Sequence, residues 1–300
     1  MLAAALIGLV ALSAPAQNGD LLVNDRTYGH NLDDSSWLLR IDPATGKATQ
    51  TPICTQQPDG SLFTQPGCGG AGPPAASPDG NSVAFAAADF SYYQPFLPPS
   101  WRVRVLSLGT GAWRLIPVSG ARLGYDEIVR WTPDSGFVLL GDHNRILLAN
   151  ADGQVSRVLA KGTAPDVSAS GRLVFARRGS VYVLSASGHT RRLAAGDQPS
   201  WSPRGSRVAF TRKGWIYAVR ATGGKPHRLA RGFHPTWSPD GRQIAFFKAV
   251  ADANDFGRDS TFVFALNRAT GRVRRVSSEP IVLEGEIPPN GLDWQPSPAR

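Results

Sequence analysis

One phrase returns five times along the chain and narrows what it can fold into. It reads Ala76-Ser77-Pro78-Asp79-Gly80, then Trp131-Thr132-Pro133-Asp134-Ser135-Gly136, then a degenerate Val167-Ser168-Ala169-Ser170-Gly171. It returns as Trp201-Ser202-Pro203-Arg204-Gly205 and Trp237-Ser238-Pro239-Asp240-Gly241, and a truncated copy, Trp294-Gln295-Pro296, stands near the C-terminus. Each copy is a turn in which Pro sets φ at the first corner and Asp-Gly or Ser-Gly supplies the position with φ > 0. A period of roughly 35 residues in the central copies, built from short strands and tight turns, is that of a radial or stacked repeat.

The residues after each turn are equally regular. An apolar strand comes first, such as Arg207-Val208-Ala209-Phe210 or Gln243-Ile244-Ala245-Phe246-Phe247, and a short break leads to a second, such as Trp215-Ile216-Tyr217-Ala218-Val219. A Gly-rich turn then precedes a basic strand such as Pro226-His227-Arg228-Leu229-Ala230. With the strand that enters the turn, each unit holds four antiparallel strands, A to D, and no segment carries a helical period. Four short strands make a propeller blade, and six units are expected.

The chain ends complete the count. Trp294-Gln295-Pro296 closes like a strand A with no B to D after it, whereas Asn18-Gly19-Asp20 reads as a turn opening onto Leu21-Leu22-Val23, a strand B with no A before it. Gly291–Pro296 is therefore expected to pair beside Leu21–Asp25, closing the ring and removing two open edges. The fold class is all-β, a closed six-bladed propeller of four-stranded blades.

The segments Pro199-Ser200-Trp201-Ser202-Pro203 and Pro235-Thr236-Trp237-Ser238-Pro239-Asp240-Gly241-Arg242-Gln243-Ile244-Ala245-Phe246 resemble the WD40-like PD40 repeats of TolB-type propellers. The resemblance runs through the chain after its first residues. It is most specific in blades five and six and departs in the fourth, where Val167 stands for Trp and Ala169 for Pro. It implies an extracytoplasmic propeller that docks proteins or holds ligands, and it fixes no chemistry, because propellers host many functions.

Met1 to Ala16 is an unbroken apolar stretch ending Ala14-Pro15-Ala16, the pattern of a secretory signal peptide cleaved before Gln17, although no Lys or Arg lies near Met1. The expected division is residues 1–16 as signal and 17–300 as one propeller domain. The expected address is secreted, periplasmic or cell-envelope. Cys54 and Cys68, the two cysteines of the chain, fall in one connection between blades one and two. In an oxidising compartment they are expected to form a disulfide worth about 3 kcal/mol through the unfolded state, with two free thiols as the alternative.

The formal charge of +9 invites a nucleic-acid reading, but the distribution speaks against it. Arg114, Arg157, Arg191, Arg192, Arg228, Arg272, Arg274 and Arg275 fall on or beside the outer strands, where charge blocks edge-to-edge pairing. Attraction to anionic envelope surfaces, giving peripheral association, is the other reading. Trp131, Trp201, Trp237 and Trp294 recur in register, which points to packing between blades and away from a ligand platform.

The irregularities carry the functional signal. B–C loops and D–A connections emerge on one face of a propeller. Blades three to five have minimal B–C loops, such as Arg212-Lys213-Gly214, whereas blades one, two and six carry long ones around residues 28–34, 89–96 and 252–259. These blades are neighbours in a closed ring, and the long connections holding Cys54 to Cys68 and Ser278 to Gly291 lie between them. The expected binding surface comprises Tyr28, His30, Asp33, Asp34, Tyr92, Tyr93, Phe96, Trp101, Asp252, Asp255 and Asp259, with Glu279, Glu284 and Glu286 adding acidity. It suits an envelope or extracellular protein or a polyhydroxylated ligand, with the protein itself a monomer.

No catalytic machinery is expected. There is no G-x-S-x-G elbow, P-loop or dinucleotide motif. A metal-dependent lyase is the alternative, because His30, His143 and His234 fall in B–C or D–A segments; they read more simply as satisfied surface histidines. No cofactor is expected, calcium in the Asp252–Asp259 loop being a further alternative that lacks an ordered ligand pattern.

Overall fold

The computed structural model describes residues 18–28, 34–54, 72–89, 100–119, 128–185, 188–251, 259–281 and 291–297. They form six four-stranded antiparallel sheets arranged as the blades of a propeller. Blade 1 holds β1 (Asn18–Tyr28), β2 (Asp34–Ile41) and β3 (Ala48–Cys54). Blade 2 holds β4 (Ala75–Ala76), β5 (Ser82–Asp89), β6 (Ser100–Ser107) and β7 (Trp113–Pro117). Blade 3 holds β8 (Val129–Trp131), β9 (Phe137–Gly141), β10 (Arg145–Ala149) and β11 (Val155–Lys161). Blade 4 holds β12 (Thr163–Val167), β13 (Leu173–Arg177), β14 (Ser180–Leu184) and β15 (Thr190–Ala195). Blade 5 holds β16 (Asp197–Trp201), β17 (Arg207–Arg212), β18 (Trp215–Arg220) and β19 (His227–Arg231). Blade 6 holds β20 (Phe233–Trp237), β21 (Gln243–Ala251), β22 (Asp259–Asn267) and β23 (Val273–Arg275).

The last strand, β24 (Leu292–Pro296), is the missing strand A of blade 1 and closes the ring. It pairs with β1 through Leu21 to Trp294, Leu22 to Asp293 and Val23 to Leu292, and after a bulge through Asn18 to Pro296. Asn18-Gly19-Asp20, expected as a turn, already belongs to the strand. The closure reaches the neighbouring blades as well. The Asn18 side chain accepts the Asp240 N–H of blade 6 at 3.1 Å, and the Gln295 amide donates to the Gly80 carbonyl of blade 2 at 2.6 Å.

The repeated phrase is the A–B turn, and its chemistry explains its residues. In four blades the Gly N–H returns to the Ser carbonyl three residues earlier, as Gly80 to Ser77, Gly171 to Ser168, Gly205 to Ser202 and Gly241 to Ser238, with the glycine at φ between 61° and 73°. The Ser238 hydroxyl donates to Asp240 at 2.6 Å and accepts the Gln243 N–H at 2.8 Å, so the Ser and Asp side chains tie both arms of the turn. Removing such a polar staple from a buried turn leaves backbone groups unpaired.

The core lies between blades. Phe85, Phe175, Phe210 and Phe246 occupy the same position of strand B and are fully buried. The recurring tryptophans pack onto the preceding blade, as expected. Trp201 sits among Val174 and Val181 of blade 4, and Trp237 among Ala209 and Ile216 of blade 5. The indole N–H of Trp131 donates to the Ala75 carbonyl at 3.0 Å and that of Trp237 to the Ser200 carbonyl at 3.2 Å, each in the preceding blade. At Trp131 and Trp237 the indole thus supplies both apolar area and a directional joint.

The arginines do more than guard edges. On blade 4, the Arg191 guanidinium donates to the Ala221 and Thr222 carbonyls at the C–D turn of blade 5. Arg274 of blade 6 donates to the Pro43 carbonyl of blade 1 at 2.6 Å. Arg172 lies 4.7 Å over the Trp201 ring and donates to the Gly205 carbonyl, and Arg268 lies 4.8 Å over Trp237. Planar, weakly hydrated guanidinium suits both roles, which explains why Arg dominates over Lys at these joints.

Candidate functional site

Two halves of the ring differ in how the blades are joined. Blades 3 to 4, 4 to 5 and 5 to 6 are linked by single glycines, Gly162, Gly196 and Gly232. Each donates its N–H to a carbonyl of the B–C turn just behind it, namely Asn144, Gly179 and Gly214, at 2.8 to 3.0 Å. A Cβ at any of them would sit 2.3 to 2.4 Å from the ring of Phe175, Phe210 or Phe246, and Gly196 and Gly232 have φ of 150° and 148°. Only glycine makes this joint.

Around blades 6, 1 and 2 the same face is enlarged. The B and C strands there run 9 and 9, 11 and 8, and 8 and 8 residues, against 5 or 6 in blades 3 to 5. Strands β5, β17 and β21 all start two residues after the turn glycine, so the extra residues of β5 and β21 lie at the B–C end. At about 3.3 Å per residue, two to four extra residues raise these hairpins by about 7–13 Å. The D–A connection from blade 2 to blade 3, between Pro117 and Val129, is long too, a feature not anticipated from the repeat pattern.

Of the expected binding residues, Tyr28 and Asp34 face each other across the tip of the blade 1 hairpin, Trp101 pairs with Ala88 near the tip in blade 2, and Asp259 pairs with Ala251 in blade 6. These are backbone placements. His30, Asp33, Tyr92, Tyr93, Phe96, Asp252, Asp255, Glu284 and Glu286 lie outside the described residues, as do Cys68 and the 1–16 segment; Cys54 ends β3. The backbone therefore brings the hairpins of three adjacent blades to one half of one face. Among the described residues, no group of three or more His, Cys, Asp or Glu is placed to hold a metal ion.

A cavity that the described residues form lies at the centre of the ring, with room for about 150 Å³. Strands A surround it. Arg130, Asp166, Ser200, Thr236 and Asp293, each the residue before the recurring Trp position, line it, together with Gln198 and His234. Gln198 and His234 sit just after the single-glycine joints, in left-handed backbone with φ of 51° and 50°, as does Ala164 at 46°. The conformation recurs in three blades at one position, each just before Pro165, Pro199 or Pro235. It coincides with the bulge by which each strand A shifts register against its strand B.

The two carboxylates are equivalent, three blades apart, and each ties its own blade to the next. Asp166 Oδ2 accepts the Trp201 N–H at 2.6 Å and Oδ1 the Val167 N–H at 2.9 Å. Asp293 Oδ2 accepts the Ala76 N–H at 2.8 Å and Oδ1 the Trp294 N–H at 2.8 Å. Burial pushes the Asp166 carboxyl up to about 6, with the Asp293 charge adding to the rise. Arg130, whose Nε lies 3.9 Å from Asp166 Oδ1, and the Trp201 N–H oppose it without cancelling it. Both side chains keep 21% of their surface open to the narrow channel, too little for bulk water to solvate a full charge.

His234 belongs to the same cavity and is not the surface histidine the sequence suggested. Its Nε2 lies 2.8 Å from the Gln198 amide nitrogen, and its backbone N–H donates to Gln198 Oε1 at 3.1 Å. Burial, and then the Arg130 charge, hold the imidazole down at about 4, so it is neutral near pH 7. His143 is in the three-residue B–C turn of blade 3, and His30 lies outside the described residues. The cavity offers neutral donors and acceptors around one Arg and two Asp. The sequence held a signal for these residues: strand alternation turns the position before each core Trp away from the core and into the channel.

No family model matches the chain, and no curated protein does. Among solved structures, it is similar to the β-propeller domain of the trilobed protease from Pyrococcus furiosus, described as having an open velcro topology. That likeness is at 12% identity over 89% of this chain and 98% of that one, with a TM-score of 0.48. It is similar also to a chain of the mitotic checkpoint complex at 14% identity, over 67% of this chain and 61% of that one, with a TM-score of 0.45.

Proposed function

We propose that the protein is a non-catalytic, extracytoplasmic propeller of the TolB type. On this reading it docks a protein partner, or holds a polyhydroxylated ligand, on the face built by blades 6, 1 and 2. The observation that carries it is the lengthening of the B–C hairpins in those three neighbouring blades, on a ring whose other half is reduced to single-residue joints. A rigid scaffold with elaboration confined to one sector is how loops come to carry recognition. The aromatic and acidic content of the three loops suits a basic segment or a ligand that stacks on rings. The export address rests on the apolar 1–16 segment, and the TolB assignment on the PD40 phrase.

A photo-cross-linking residue placed at Trp101, and separately at Arg204 on the opposite face, tests the reading in cells that export the protein. A discrete adduct from position 101 and none from 204 is expected. Adducts confined to 204 would put the binding surface on the wrong face. Alanine at Tyr92, Tyr93 or Trp101 is expected to weaken the contact by about 1–3 kcal/mol at each true hot spot. Charge reversal at Asp33, Asp34 and Asp255 should mainly slow association.

A further inference from the structure

The positive charge of this protein belongs to two blades. Blades 4 and 5, residues 163–231, contain thirteen Lys and Arg against only Asp166 and Asp197, a net +11 where the whole chain carries +9. The other four blades and the termini are therefore net negative together. Asp166 faces the central cavity, so it does little to offset the outer surface.

Six of these cations gather on the B–C rim. Arg178 stands in the B–C turn of blade 4, Lys213 in that of blade 5, and Arg212 ends β17 just before that turn. Arg192 reaches the Ser180 hydroxyl at the start of β14, and Arg228 and Arg231 lie against Trp215 at the start of β18. All six are exposed, and among the described residues neither ion pair involves them. Three of them are held by rings. Arg228 and Arg231 lie 4.3 and 5.3 Å from the Trp215 ring centroid, and Arg212 lies 5.7 Å from that of Tyr217. A guanidinium stacked on a ring keeps its N–H edge free and has already lost much of its rotamer freedom. It is thus preorganised to grip an oxyanion through two hydrogen bonds.

We propose that the B–C rim of blades 4 and 5 binds an anionic polysaccharide, an extended chain bearing carboxylate or sulfate groups. The two turns belong to adjacent blades, so the cations form a row that a linear polyanion can follow. A bilayer fits less well, because Arg-Gly and Lys-Gly turns offer no apolar side chain to insert. A protein partner would need an apolar centre, and among the described residues none of the exposed large hydrophobic side chains lies in blades 4 or 5. Nucleic acid bound as single strands wants free ring faces, whereas Trp215 is already stacked by two arginines. This surface is separate from the proposed docking face of blades 6, 1 and 2, and neither reading depends on the other.

The test measures binding of the full chain to heparin and to polygalacturonate across a salt series. The variant R212Q/K213Q/R228Q/R231Q is compared with R204Q/R220Q/K225Q/R242Q, which removes the same charge from the opposite face. The rim variant is expected to lose at least tenfold in affinity with a shallower salt dependence, and the control less than threefold. Arg228→Lys keeps the charge but not the planar stack, and is expected to lose about threefold; its thermal melt, matched to the unchanged chain, separates binding from folding. Equal losses in the two quadruple variants would overturn the proposal in favour of net charge alone. Binding of phosphatidylglycerol vesicles or of polyglutamate as tight as that of the glycans, and lost with the same four residues, would overturn it too.

Discussion

Blades 3 to 5 and blades 6, 1 and 2 are built from the same four strands, yet they obey different constraints. In the first group, one glycine turns the chain from the outer strand of a blade to the inner strand of the next, and a phenylalanine ring sits where its side chain would be. In the second, whole loops do that work and the hairpins grow past the rim. The tight half leaves no room for sequence drift at its joints and spends its surface on charge. The elaborated half tolerates length, because enlarging an existing surface loop costs only a slowly rising closure entropy. Rigidity and novelty are thus segregated around one ring.

The largest expected effect comes from breaking the closure that holds both halves. Deleting the last ten residues removes β24, with Trp294 in the core and the Asp293 link to blade 2. A loss above about 4 kcal/mol, seen as a collapsed thermal transition, is expected, because a buried Trp alone is worth about 3–5 kcal/mol. An unchanged melting temperature would refute closure by this strand. Next, Gly232→Val is expected to cost about 3 kcal/mol, since its Cβ would meet Phe246 and the Phe247 carbonyl at 2.3 and 2.5 Å. Inserting six Gly and Ser residues between positions 284 and 285, in the connection of the elaborated half, is expected to cost less than about 1 kcal/mol. Similar costs for the two changes would erase the distinction between the halves.

The next prediction concerns the cavity. Folded Asp166 keeps a proton that the unfolded chain has lost between its ordinary 3.8 and about 6, so this group alone makes stability fall as pH rises through that window. Folded His234 lacks a proton that the unfolded chain holds between about 4 and its ordinary 6.5, so it makes stability rise over nearly the same window. The two slopes oppose. Relative to the unchanged protein, Asp166→Asn should gain about 1–3 kcal/mol of stability between pH 4 and 6.5, and His234→Gln should lose a similar amount. Denaturant titrations at the two pH values measure this, and parallel pH profiles for all three proteins would mean that neither group is perturbed.

The smallest effect is expected at Arg191. Its guanidinium ties blade 4 to carbonyls of blade 5 at an exposed site. Arg191→Lys should cost about 0.5–1 kcal/mol, because an ammonium cannot reach two carbonyls as a planar fork does. No change would return this arginine to a simple guard of the outer edge.

Much of this was legible in the chain. The Trp-Ser-Pro-Asp-Gly phrase marked turn type, strand spacing and blade number, because a turn with fixed φ demands at Pro and Gly leaves a trace in the residues. The halves were legible as loop lengths. The single-glycine joints were visible at Gly162, Gly196 and Gly232, each three residues before a proline, but their meaning depends on a phenylalanine in the next blade. The cavity was harder still. Arg130, Asp166, Ser200, Thr236 and Asp293 share the place before the recurring Trp position, which strand alternation marks, but they share no chemistry, so what they form together shows only in the ring. His234 looked like a loop residue for the same reason, since what buries it comes from its neighbours.

The pairing of β24 with β1 also sets a timetable. Trp294 reaches the Gly19 carbonyl across 275 residues of chain, so the first blade to be synthesised is the last that can be completed. Until then β1, β2 and β3 form a sheet with a bare inner edge, the very template that foreign strands seek. A chain that emerges slowly, or enters a new compartment unfolded, must carry this unfinished blade through most of its own biosynthesis.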